Sequence, residues 1–262
     1  MKSLQVLVST MWQTDYSLIE KMNIDSEAIV VNQCDRLGKE IYEYHGKCIT
    51  WLSFPECGVG KSRNNALIRA DSDICLFADD DVVYYDNYKG KVVAEFEKFP
   101  DADLIIFNIC STNPNRPEYK IRKLQRVHFY NCLRYGTFRI AIRLDSIRKE
   151  RLFFSQLFGG GCKYGSGEDS LFLMDCIKRG LRIYASPEEI GTVNHISSTW
   201  FSGHTEQFFF DKGALFCSLS KHCPRLLCLQ FCLRHKSMMA ELKFFRAYQC
   251  MLRGIDDYRK RL

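Results

Sequence analysis

Ile74-Cys75-Leu76-Phe77-Ala78 runs directly into Asp79-Asp80-Asp81. An uninterrupted apolar strand is buried on both faces. Three consecutive carboxylates repel one another unless solvent or a cation screens them. The strand therefore has to end at the rim of a covered sheet. Residues 4–9 (LQVLVS), 28–32 (AIVVN), 48–54 (CITWLSF) and 103–109 (DLIIFNI) also read as strands, with helix-like stretches at 64–70 and 91–98 between them. Thr14 and Asp15 are placed to cap a further helix through Met22. Such alternation predicts an α/β, Rossmann-like fold: a mostly parallel sheet flanked by helices. Ligands in such sheets sit outside the carboxyl ends of the strands. Ser9, Asn32 and Asp79–Asp81 all fall at such ends.

The second half is less regular. Residues 113–126 read as a polar surface loop, and 137–144 (TFRIAIRL) as a half-buried strand. A glycine-rich loop, 158–170 (FGGGCKYGSGEDS), opens a helix that ends at Arg179-Gly180. The chain turns helical from about Gly213, with Met238, Leu242, Phe245 and Leu252 near one face of an amphipathic segment over 237–252. From Lys212 onward there are eleven Lys/Arg against three Asp/Glu, so the excess positive charge of a chain with net charge +6 lies there. This predicts a body, residues 1–211, followed by a basic, amphipathic helical extension, 212–262. The near-neutral body argues against a nucleic-acid binder. The basic extension suits solvent or an anionic membrane surface. The thirteen cysteines, with no C-x-x-C pair, read as reduced thiols. No apolar run reaches the ~18–20 residues of a membrane span, and MKSLQVLVST lacks a signal-peptide core. The expectation is a soluble, cytoplasmic protein.

Three clusters carry chemistry. Asp79–Asp81 has the donor type of a divalent-cation site facing a diphosphate, or of a solvated acidic turn. Gly60-Lys61-Ser62 resembles the end of a P-loop, but Pro55 stands where that motif needs its first glycine. The same basic loop can set Lys61 or Arg63 against a nucleotide. Ser166 and Asp169 have the spacing of a capping box, while Glu168 and Asp169 are also suited to act as a general base delivered by a flexible loop. His195 and His204 flank Ser197–Trp200, where the Trp is either core or a stacking platform for a sugar.

The order of these pieces resembles the family 2 glycosyltransferases of GT-A fold, in particular bacterial enzymes of surface-polysaccharide biosynthesis. The resemblance spans roughly residues 4–205 and rests chiefly on the strand ending in Asp79–Asp81 and the later Gly167-Glu168-Asp169. It implies an inverting transfer of a sugar from a nucleoside-diphosphate donor, with UDP favoured, to a hydroxyl of a glycan or lipid-linked acceptor. It implies Asp79 and Asp81 as the metal-binding pair for Mn²⁺ or Mg²⁺, with His195 completing the site. Asp169 is then the catalytic base and Glu168 its neighbour and fallback. Ser9, Asn32, Asp35, Lys61, Arg63, Asp79 and Asp80 fall on the nucleotide side, and Trp200 on the acceptor side. Where many members carry Asp-Asp-Gly-Ser this chain has Asn32-Gln33-Cys34-Asp35, and Asp35 is assigned from its place in the turn. The resemblance implies a cytoplasmic enzyme at the inner face of the cell membrane, touching it through the basic C-terminal helices. The competing readings are a P-loop-like nucleotide hydrolase or kinase, and a non-catalytic GT-A subunit of a polysaccharide-assembly complex.

Overall fold

The computed structural model describes residues 2–194, 203–239 and 242–261. Strands β1 (Leu4–Met11), β2 (Glu27–Gln33), β4 (Lys47–Phe54) and β5 (Ile74–Asp79) run parallel, in the spatial order β4-β2-β1-β5. The middle strands are buried along nearly their whole length, as strands covered on both faces must be. The sheet continues through β9 (Ile140–Arg143), β7 (Leu104–Ser111) and β10 (Ile183–Val193) to the three-residue β6 (Val82–Tyr84). A two-residue β8 (Gln125–Arg126) pairs with β10.

The sheet is thus mixed. β9 lies antiparallel between β5 and β7. The stretch expected to be a half-buried strand over 137–144 is instead a short 3-10 turn, Thr137–Arg139, and then a central strand buried on both sides. Gly38–Tyr44, where no strand is expected from the residues, forms β3, an edge hairpin partner of β4. His45 and Gly46, with φ of 50° and 73°, make the tight turn between them. Exposed Lys39, Glu40 and Glu43 on β3 give it the charged character of a protected edge, which hides its strand periodicity.

Helices cover both faces. α1 (Leu18–Lys21) and α3 (Tyr88–Lys98) pack on one side, and α2 (Val59–Arg69), α4 (Leu144–Lys149) and α5 (Glu168–Lys178) on the other. The helix expected from Thr14 or Asp15 begins only at Leu18, because Asp15 accepts from the amide and hydroxyl of Ser17 in a local turn. α6 (Glu206–Leu219), α7 (Pro224–Arg234) and α8 (Phe244–Arg259) form a separate apolar cluster. The expected division at residue 211 falls inside α6. Of the face expected over 237–252, Met238, Leu242 and Leu252 pack against this cluster, but Phe245 is 78% exposed, and Ala247, Cys250, Met251 and Ile255 point inward. The inward residues follow the helical period from the start of α8 at Phe244, whereas the stretch 237–252 spans that start.

Glycine lets α6 and α8 touch. A Cβ on Gly213 would stand 1.9 Å from the carbonyl oxygen of Met251, and one on Gly254 1.9 Å from that of Phe210. A joint of Phe158, Tyr164, Leu171, Ala214 and Leu215 ties this bundle to the body beside the glycine-rich loop.

Candidate functional site

The rim at the carboxyl ends of β1, β2 and β5 gathers the first half of the site. Register places Ser9 beside Asp79 and Thr10 beside Asn32. Ser9 is buried and receives a hydrogen bond from Ser62 Oγ at 3.0 Å. Asn32 is wholly buried: its Oδ1 accepts from the Gln13 amide at 3.0 Å and its Nδ2 donates to the Gln13 carbonyl at 2.9 Å. This side chain fixes the loop after β1. Thr10 Oγ1 donates to Asp80 Oδ2 at 2.6 Å, and Gln13 Nε2 donates to Thr10 Oγ1 at 3.0 Å. Asp35 is exposed in the turn after β2.

Arg63 joins this rim to the second half. It projects from α2, is 4% exposed, and lies over the ring of Phe154. One of its terminal nitrogens donates to Asp79 Oδ1 and the other to Glu168 Oε1, each at 2.8 Å. Burial works against its charge, but the two carboxylates outweigh that and keep the guanidinium protonated. Arg63 thus reaches a carboxylate 105 positions away in sequence as well as one only 16 away.

Gly60-Lys61-Ser62 is not a phosphate-cradling loop. α2 starts at Val59, so the three residues are already helical. A Cβ on Gly60 would meet the Ser155 carbonyl oxygen at 2.2 Å, so the glycine serves close packing. The Val59 amide donates to the Gly160 carbonyl at 2.9 Å. Lys61 is half-buried on the same helix.

The glycine-rich loop is clamped rather than flexible. Gly159 donates to the Tyr164 carbonyl at 2.8 Å, and the Gly165 amide to Asp211 Oδ2 at 2.9 Å. Gly159 has φ of 108°, and a Cβ there would come within 2.9 Å of the Glu168 carboxyl carbon. The loop therefore packs against the side chain it delivers. The capping box read from Ser166 and Asp169 does not form: Gly167 precedes α5 with φ of 113°, and Ser166 Oγ instead receives Lys212 Nζ at 3.4 Å.

Asp169 stands half-buried at the start of α5, its Oδ1 accepting from the Ser170 amide at 2.6 Å. Burial, and then the charge of Glu168, holds its carboxyl above the ordinary range, while Lys212 and Arg63 pull it back. Burial likewise, reinforced by Asp79 and Asp80, pushes Asp81 up to about 7. A carboxylate crowded in this way is relieved by a positive charge. The oxygen donors at Asp79–Asp81 fit a hard divalent cation, which takes one or two carboxylates plus substrate phosphate. Asp79 gives one of its oxygens to Arg63. Among the described residues, no three His, Cys, Asp or Glu side chains converge into a ready-made metal cage. His195 and Trp200 lie outside the described residues.

Several groups at the site were not singled out in the sequence. Lys212 and Asp211 reach it from α6, in a segment that reads as apolar helix. Glu118 adds its charge near Asp81, and it accepts from the wholly buried Arg139 at 3.3 Å. The one available signal was an arginine inside the apolar run 137–144.

The model of a family described as "Glycosyl transferase family 2" matches residues 9–155, more than half the chain. No curated protein matches the chain in sequence. Among solved structures, S. aureus TarS 1–349 in complex with UDP-GlcNAc has a TM-score of 0.65 and 17% identity, over 98% of this chain and 89% of that one. The same protein in complex with UDP has a TM-score of 0.61 at 16% identity, with the same coverage. The mannosyltransferase PcManGT from Pyrobaculum calidifontis, in complex with GDP-Man and Mn²⁺, has a TM-score of 0.50 and 13% identity, over 99% of this chain and 75% of that one. At these identities the likeness is one of fold, and that fold is GT-A.

Proposed function

The chain belongs to glycosyl transferase family 2, and from that premise we propose that it is an inverting, metal-dependent transferase. Its donor is a nucleoside-diphosphate sugar, and its acceptor a hydroxyl of a glycan or lipid-linked sugar in surface-polysaccharide assembly. The observation that carries this reading is the Arg63 bridge, which sets the acidic strand end and the start of α5 on one cleft. UDP is the favoured nucleotide, supported by the TarS complexes with UDP and UDP-GlcNAc.

Asp169 takes the proton from the acceptor hydroxyl as that oxygen bonds to the anomeric carbon and the bond to the diphosphate breaks. Its raised affinity for a proton, produced by burial and Glu168, suits this task. Lys212 and Arg63 keep enough of it ionised to act. Asp81, with Asp79, would hold Mn²⁺ or Mg²⁺, and such an ion supplies charge neutralisation on the departing diphosphate. Thr10 holds Asp80, and Asn32 holds the loop over the nucleotide end of the cleft.

Calorimetric titration with UDP, GDP, CDP and ADP, with and without Mn²⁺, tests the reading. We expect Mn²⁺-dependent binding of a uridine or guanosine diphosphate, lost in Asp81→Asn. Preference for ADP with no metal requirement would overturn it in favour of a nucleotide hydrolase or kinase. Metal-dependent binding without sugar transfer would favour a non-catalytic subunit.

A further inference from the structure

The segment from Arg116 to Arg134 carries six Lys/Arg and one acidic residue, Glu118. Its first part has the composition of a polar surface loop, yet the segment is pinned at intervals from within. Ile121 is buried and exchanges hydrogen bonds of 2.9 Å with the side chain of Asn108. The Val127 amide donates to the Ile183 carbonyl at 2.9 Å, and Cys132 is wholly buried. Between these anchors the chain closes a tight turn. The His128 amide donates to Asn131 Oδ1 at 2.7 Å, and the Cys132 amide to the His128 carbonyl at 3.0 Å.

That turn holds two adjacent aromatic side chains out in solvent. Phe129 is 66% and Tyr130 69% exposed, their rings edge to face at 5.4 Å, with Leu133 48% exposed one step further on. Arg122, Lys123 and Arg134 are exposed on the same segment. A preformed aromatic tip on a segment that also carries exposed cations has the chemistry of a bilayer interface: rings at headgroup depth and cations against anionic lipid. Its place in the molecule agrees. Glu118 lies near Asp81, and Cys132 lies near enough to Asp169 to feel its charge, so this segment borders the candidate cleft. Charge in the C-terminal helices is in part engaged elsewhere: Arg246 pairs with Glu206, Arg261 with Asp257, and Lys212 turns toward the cleft.

We propose that the turn at Phe129-Tyr130, with Arg122, Lys123 and Arg134, docks the protein on an anionic lipid surface, so that the cleft opens at the membrane. Among the described residues no helix is long and apolar enough to cross a membrane.

Flotation of the full chain with vesicles, without donor or acceptor, tests the docking independently of any sugar transfer. Binding is expected to phosphatidylcholine vesicles containing phosphatidylglycerol, to weaken with added salt, and to be absent on phosphatidylcholine alone. Each basic residue neutralised should weaken binding about fivefold, so Arg122→Gln/Lys123→Gln should lose more than tenfold. Phe129→Ser/Tyr130→Ser should abolish flotation, and Lys236→Gln/Lys243→Gln in the C-terminal region should leave it unchanged. All these side chains are exposed, and an unchanged melting temperature confirms folding; if one pair of changes fails that check, the other carries the test. Full binding by both loop variants, or loss confined to the C-terminal variant, would overturn the proposal. So would absence of flotation by the unmodified chain with weakened acceptor use by the loop variants, which would make the segment a glycan-binding surface.

Discussion

One wall of the candidate cleft is made of strand ends and the other of helices held by glycines. On the first wall, Ser9, Thr10, Asn32 and Asp79–Asp81 are placed by the register of parallel strands whose side chains are almost wholly buried. On the second, Glu168 and Asp169 depend on a loop whose glycines adopt positive φ, and Lys212 on a helix that reaches the cleft only because α6 and α8 cross at Gly213 and Gly254. Position in the first wall follows from the sheet. Position in the second follows from contacts between segments far apart in sequence, and a single methyl group can disturb it. Arg63 is the joint between them.

Breaking that joint should have the largest effect. Arg63→Met leaves Asp79 and Glu168 without their shared cation and should cost about 3–5 kcal/mol of stability, the range for a buried pair stripped of one partner. Chemical denaturation measures it; a loss below 1 kcal/mol would show the two walls stand independently. Gly213→Ala or Gly254→Ala should cost about 1–3 kcal/mol through overpacking against backbone. Nucleotide binding at the first wall should survive these changes better than transfer does, as parallel titration and turnover assays would reveal.

The second wall should also shape the pH profile. Asp169 binds a proton more readily in the fold than an ordinary aspartate does, so acidification blocks the base at a higher pH than usual. Transfer should fall about tenfold per pH unit below that point. The same sign means that protonating Asp169 favours the folded state, so activity is expected to fall while melting temperature, to the extent it depends on this group, rises. An activity plateau running unbroken through the ordinary carboxylate range would remove Asp169 from the role. The smallest effect belongs to the half-exposed pair of Lys163 and Asp257, 2.5 Å apart, which ties the loop to α8. Lys163→Met should cost no more than about 1 kcal/mol; a larger loss would mean the loop hangs from α8 rather than from its glycines.

This contrast also explains what was readable in advance. β5 is a continuous apolar run up to Asp79, and β1, β2, β4 and β7 are largely apolar, so both their existence and the acidic edge at Asp79 are visible in the residues themselves. β3 was missed because Lys39, Glu40 and Glu43 mask its period, and the antiparallel place of β9 is a matter of pairing that local pattern does not encode. Gly60-Lys61-Ser62 misled toward a phosphate loop because a glycine required by the Ser155 carbonyl looks the same in sequence as one required by a ligand. Arg63 was placed beside a nucleotide, yet its bridge to Glu168 needs the folded distance between α2 and α5. Lys212 and Glu118 lacked any motif, since long-range electrostatics leaves no mark on spacing.

The role of Asp169 as base is decided by measuring sugar transfer and UDP binding on one preparation of Asp169→Asn. Transfer should fall by about 10²–10⁴-fold, the range for a lost general base, while Mn²⁺-dependent UDP binding stays within a few-fold of the unmodified protein. Equal loss of both, or transfer retained in full, would contradict it.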